Sequence, residues 1–152
     1  MDEKGCKSSY HHGDLKNALI QAGVEILAHQ GIGELSLRKV AQRAGVSHSA
    51  PYAHFKDKQA LIAAICIEGF NKLLNALEST FEKYSKDPHQ LLVETAFTYA
   101  EFALKEEDTF KVMFSGVLEK EKDYPELVDV IQRTFQMVVK VVSVCQSQEI
   151  LP

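Results

Sequence analysis

The chain is poor in cysteine, proline and glycine, with 3, 4 and 8 of them among 152 residues. Cys6, Cys66 and Cys145 lie far apart without Cys-x-x-Cys spacing. Neither a disulfide framework nor a zinc ribbon has its ligands, and a reducing compartment is the expectation. So few glycines and prolines exclude a collagen-like chain, and 45% hydrophobic against 25% charged residues exclude a disordered one. No uninterrupted apolar stretch approaches the roughly 18 residues of a membrane-spanning helix. The polar start from Met1 to His12 also lacks the apolar segment of a signal peptide. The expectation is a cytoplasmic chain without membrane contact, holding one substantial core and at most a small second module.

Enzyme signatures are missing as well. There is no phosphate loop, no Gly-x-Ser-x-Gly, no His-Glu-x-x-His and no pair of glycine fingerprints. His11 and His12 are adjacent, so on a helix they face different ways, and no cysteine or acidic cluster with ligand spacing accompanies them. No catalytic residues, metal or other cofactor are expected.

What is present is an uneven distribution of charge. Up to residue 60 there are eight Lys or Arg against six Asp or Glu, and the remainder has nine against fifteen, within a net charge of −4. Five of the six histidines, His11, His12, His29, His48 and His54, also fall in the first part, where partial protonation adds positive charge. An acidic whole argues against a general nucleic-acid coat, but a local positive surface can still meet phosphates.

Hydrophobic periodicity predicts helices throughout, hence an all-α fold. Leu15, Ala18, Leu19, Ala22, Ile26 and Leu27 recur at three and four behind Asp14, a candidate cap, and Gly31 and Gly33 end that helix. Ser36 precedes a short amphipathic pattern, Leu37, Val40, Ala41 and Ala44, stopped by Gly45, and Ser47 offers a second cap two residues later. From Asp57 an apolar pattern runs about 28 residues to Tyr84, roughly 42 Å if continuous. Asp87, Pro88 and Gln90 open a helix to about Glu106, with Gln90 placed for a capping box. Its polar residues Glu94, Thr98, Glu101 and Lys105 form one narrow stripe, so it is expected to be a central core helix. A short helical piece from Asp108 to Ser115 precedes a last helix, opened by Pro125 and reaching about Gln146. That helix is apolar on two sides, and no later element covers the second: either another subunit supplies the cover or further sequence does.

Residues 36–58 have the layout of a helix-turn-helix: small Ala41 permits close helix packing, Gly45 suits the turn, and Val46 seals the angle. With the preceding helix and the tail Tyr52-x-His54-Phe55-x-x-Lys58-x-x-Leu61, residues 10 to 65 resemble the amino-terminal domain of TetR-family transcriptional repressors. Tyr10-His11-His12-Gly13-Asp14 resembles the entry segment of one group within that family. The resemblance implies a helix-turn-helix DNA-binding domain over residues 1–56 and a helical ligand-binding and dimerisation domain over 57–152, a length suggesting truncation. Ser36 and Ser47 sit at the two caps, and the second helix would present His48, Ser49 and Ala50 to base edges in the major groove. Arg38 matches a position that reaches a base, while Tyr52, His54 and Lys58 resemble phosphate-contacting residues. Pro51 departs from the pattern, which more often has an aliphatic residue there.

The resemblance further implies a homodimer whose heads read half-sites about 34 to 36 Å apart on a double-stranded operator. A small-molecule effector in the carboxy-terminal bundle would tilt the long helix and relieve repression. Phe97, Glu101, Phe102, Phe110, Met113, Phe114 and Phe135 are the candidate pocket residues, with core packing the plainer reading of any single one. Cys66 and Cys145 read as buried small hydrophobes. The rival readings are a helical dimerisation or adaptor module that no longer binds DNA, and a small-molecule carrier or enzyme using the bundle.

Overall fold

The computed structural model describes residues 12–152, and all regular structure among them is helical. Helix α1 spans His12–Gln30, α2 Leu37–Arg43, α3 Lys58–Tyr84, α4 Pro88–Lys105, α5 Glu107–Met113 and α6 Pro125–Ser147. Short 3₁₀ turns lie at Ile32–Glu34, Ala50–Ala53 and Glu121–Asp123. Tyr10 and His11 of the entry segment, and Cys6, fall outside the described residues. Because α1 already begins at His12, Asp14 lies within the helix and is not its cap.

The central helix is α3. Asp57 caps it, Oδ1 accepting from the Ala60 amide at 2.8 Å, and Leu61, Ile62, Ile65, Leu73, Leu74 and Leu77 are all but fully buried. By length and composition alone α3 is apolar enough to cross a membrane, but over half of its most apolar stretch is buried among its neighbours. It packs on α1, α4, α5 and α6, so one continuous cluster of buried side chains runs from Leu19 through Leu61 to Val130. Where α5 crosses α3 the chain carries Gly69. A Cβ there would fall on Met113 Sδ and 2.9 Å from Thr109 Cγ2, so any larger residue would force those two side chains to shift.

Helix α4 departs from expectation. Asp87 does cap it, Oδ1 accepting from the Gln90 amide at 3.1 Å, but only Leu91 and Phe102 are buried. One face meets α3 and α6, while Val93, Phe97 and Leu104 stand open at 59%, 70% and 80% exposure. The expected central core helix is thus peripheral in this chain. Helix α6 runs antiparallel to α4: Cys145 Sγ donates to the Pro88 carbonyl at 3.4 Å, and Leu91, Val141 and Cys145 form a second small core. Its other apolar side, Phe135, Val138, Val139 and Val142, is exposed.

Candidate nucleic-acid interface

The head is assembled from local rules. Ser36 Oγ accepts from the Lys39 amide at 3.2 Å and starts α2, which buries Leu37, Val40 and Ala41. Gly45 then takes φ 69°, a left-handed conformation that costs other residues about 1 kcal/mol or more. That reversal lets the Val46 amide donate back to the Ala41 carbonyl at 3.0 Å.

After the turn, the sequence predicts a second helix capped by Ser47. The structure forms a tighter 3₁₀ segment instead, Ala50–Ala53, and Ser47 Oγ pairs with Ser49 Oγ at 3.2 Å rather than capping. Pro51 explains the difference. In an α-helix begun at Ser47 the residue-51 amide would donate to the Ser47 carbonyl, and proline has no N–H. The Ala50 amide donates there instead at 3.0 Å, and Tyr52 and His54 continue the i to i−3 pattern. Pro51 itself is fully buried against the head, filling the place of the aliphatic residue expected there.

The predicted contact residues lie around this segment. Arg38, Ser47, His48, Ser49, Tyr52 and Lys58 are exposed, and Ala50 and Ser36 are half-buried. His54 differs: it is half-buried, and its Nε2 is shielded from solvent without a hydrogen-bond partner among the described residues. Charge is sorted too. Lys39 is tied to Glu34 and Arg43 to Glu25, whereas Arg38 and Lys58 make no ion pair among the described residues.

Sequence reasoning missed the contacts fastening the head to the body. Gln59 Oε1 accepts from the Glu119 amide at 2.9 Å, Lys56 Nζ lies 5.9 Å from the Tyr124 ring centre, and His29 Nε2 is 3.1 Å from Asp108 Oδ2. Burial, with the Asp57 and Asp123 carboxylates, pushes the Tyr124 hydroxyl pKa up. Partners 60 or more residues apart leave no local signal. Between α1, α3 and the start of α6 lies an open groove of about 470 Å³, bordered by Asn17, His54, Ile67 and Tyr124.

The candidate ligand-pocket residues are divided. Phe102 and Met113 are core, and Phe110 is half-buried. Phe114 is partly exposed, with its ring 4.7 Å from Phe110 and 5.8 Å from Phe70. Phe97 and Phe135 point outward at 70% and 69% exposure. Glu101 is exposed, 2.7 Å from Lys105, and with Thr98 and Phe102 borders an open cleft of about 200 Å³.

The described residues thus form a helix-turn-helix head carried on a long helix that continues into a helical body. The family model for bacterial regulatory proteins of the tetR family matches residues 19–65. Over 49 residues the chain is 41% identical to the tetracycline repressor protein class A from transposon 1721 of Escherichia coli, a match covering 32% of this chain and 23% of that one. A solved protein of unknown function from Rhodococcus sp. RHA1 is 30% identical, with a TM-score of 0.72 over 93% of this chain and 73% of that one. A tetR-family regulatory protein from Rhodococcus RHA1 shares the fold, with a TM-score of 0.77 at 21% identity over 89% of this chain and 71% of that one. The head of the chain thus matches the amino-terminal domain of the bacterial tetR regulatory family. Its match spans about a quarter of the length of the tetracycline repressor.

Proposed function

We propose that this chain is a dimeric, sequence-specific DNA-binding repressor, relieved by a small-molecule effector. The observation that carries the reading is the sorting of side chains on the head. Leu37, Val40, Ala41, Pro51 and Phe55 are buried, while Arg38, His48, Ser49 and Tyr52 present hydrogen-bonding groups outward. The cations Arg38 and Lys58 lack carboxylate partners among the described residues, although Lys39 and Arg43 beside them are neutralised. Unpaired cations next to exposed hydroxyls and an imidazole suit phosphate and base-edge contact. Arg38 would read a guanine edge, His48, Ser49 and Ala50 would set base preference, and Tyr52 and Lys58 would hold phosphates. Lys58 occupies the first turn of α3, whose amide dipoles also favour an anion.

Relief of binding would run through α3, which carries the head at one end and the body along its length. An effector that favours one tilt of α3 shifts the head through the contacts of Gln59, Lys56 and His29. Selection of duplexes from a randomised library by the wild-type chain, then sequencing, tests the reading. A two-fold symmetric site is expected, and selection of no sequence over random duplex overturns specific recognition in favour of an adaptor.

A further inference from the structure

The groove between α1, α3 and the start of α6 lies apart from the candidate pocket residues of the bundle, none of which borders it. Its volume of about 470 Å³ falls within the roughly 300 to 1,000 Å³ of small-molecule sites. The room comes from α3, which has Ala60, Ala63 and Ala64 on this side where its core side has leucine and isoleucine. Ile20 and Ala63, both buried, and the half-buried Ala64 and Ile67 make an aliphatic floor.

The border is polar. It carries three exposed carboxamides: Asn71 and Asn75, four residues apart and so on one side of α3, and Asn17 on α1. Two lysines and two glutamates, Lys16, Lys72, Glu68 and Glu126, also stand there, so with histidine neutral the groove has no net formal charge. Lys72 is held in place by Glu68 and Glu106, at 3.4 and 3.1 Å. On the head's side lies His54, whose Nε2 is shielded from water and has no hydrogen-bond partner among the described residues. A shielded polar atom without a partner costs stability, which a ligand's polar group can restore.

These features select among ligands. A charged molecule finds no net opposite charge. An alkyl chain would cover the floor but strip water from the carboxamides without pairing them. A sugar would press its hydroxyls onto aliphatic side chains. A flat ring, apolar on its faces and hydrogen-bonding at its edges, satisfies both floor and border, because a carboxamide pairs in bidentate fashion with an edge such as that of adenine. We propose that the groove binds an uncharged heteroaromatic molecule of the purine class, as free base or nucleoside. The groove takes residues from the head's tail, from α1 and from the body, so the bound molecule fills the joint between them. The inference goes beyond the repressor reading and does not rest on it.

Equilibrium dialysis of the full chain against adenosine, without duplex, tests it, with ribose and hexanoate as comparison solutes. Saturable binding is expected for adenosine and for neither of the others. Asn71→Leu should weaken adenosine binding at least about tenfold, as loss of a bidentate pair implies. Ala64→Phe should fill the groove and abolish binding, with helical circular dichroism as the check on folding. The wild type gives an independent reading should that variant misfold. Adenosine should shift the imidazole proton resonances of His54 and leave unchanged those of His89, exposed at the start of α4. Absence of saturable binding overturns the proposal, as does equal binding of ribose or hexanoate, indifference to either substitution in a folded chain, or an unmoved His54 resonance. Because no duplex is present, failure here leaves the repressor reading standing, and failure of duplex selection leaves the groove's ligand standing.

Discussion

The head and the body expose surfaces of opposite construction. Around the turn after α2, the buried layer of Val40, Ala41 and Pro51 lies under Arg38, His48, Ser49 and Tyr52. These groups gain little from burial unless a partner replaces their water with hydrogen bonds or opposite charge. Along α4 and α6 the exposed groups are Phe97, Leu104, Phe135 and Val139, which gain from any dry contact of fitting shape. The first face asks for a polar, anionic partner and the second for an apolar one, although a single core supports both.

That shared support gives the largest expected effect. Leu61 is fully buried, and both it and Ile65 pack tightly on Gly23 of α1, so the start of α3 is common to head and body. Leu61→Ala should cost about 3 kcal/mol, the usual range for a buried leucine that leaves a cavity. Urea unfolding followed by tyrosine fluorescence and by circular dichroism should move together to lower midpoints, and duplex binding and dimer formation should fall with them. A head transition separating from an unchanged body transition would break the comparison at its base.

Alkali tests the same core more gently. Burial, aided by the Glu121 carboxylate, pushes the Cys66 thiol of α3 up to about 11, from an ordinary value of 9.0. The folded state therefore holds the thiol proton more tightly than the unfolded state. The associated stability is intact below about pH 9 and is lost progressively between 9 and 11, amounting to about 2 to 3 kcal/mol. Cys66→Ala should flatten that part of the stability profile. Thiol labelling at neutral pH should be slow at both Cys66 and Cys145, which are buried.

On the head alone, Arg38→Ala and Lys58→Ala sharpen the division between reading and holding. Loss of Arg38 should cost about 2 kcal/mol on the selected duplex and little on random duplex. Loss of Lys58 should weaken both equally and reduce the salt slope by about one. Salt titrations of each variant on both duplexes distinguish the two patterns.

Much of this organisation was legible in the residues. Asp57 and Asp87 announce the starts of α3 and α4 because a cap is a local transaction between a carboxylate and an amide three residues on. The helix-turn-helix was legible for the same reason, through Ser36, Gly45 and Val46. The body's function was less so. An apolar side chain records that it prefers cover, not what covers it: Phe97 and Phe102 look alike in a pocket hypothesis, yet they stand about 140° apart on α4, one exposed and one in the core. The expectation that α4 is central was an expectation about cover, which the described residues do not provide.

The smallest effect concerns two serines that the sequence presents as equivalents. Ser36 accepts from the Lys39 amide and holds the first turn of α2, so Ser36→Ala should destabilise the head by about 1 kcal/mol. Among the described residues Ser47 accepts no amide, because Pro51 has diverted the following segment into 3₁₀ geometry, where the Ser47 carbonyl takes the Ala50 amide and the hydroxyl meets Ser49. Ser47→Ala should leave thermal unfolding unchanged within a few tenths of a kcal/mol, as for an exposed side chain without a structural bond. Any loss of duplex affinity in that variant is then loss of contact rather than of fold. Restoring an amide with Pro51→Ala should reverse the contrast by letting residue 51 donate to the Ser47 carbonyl and the segment become α-helical. In that background Ser47→Ala should acquire a capping cost comparable to that of Ser36→Ala, and equal unfolding midpoints for the single and double variants would show that the proline does not set the geometry.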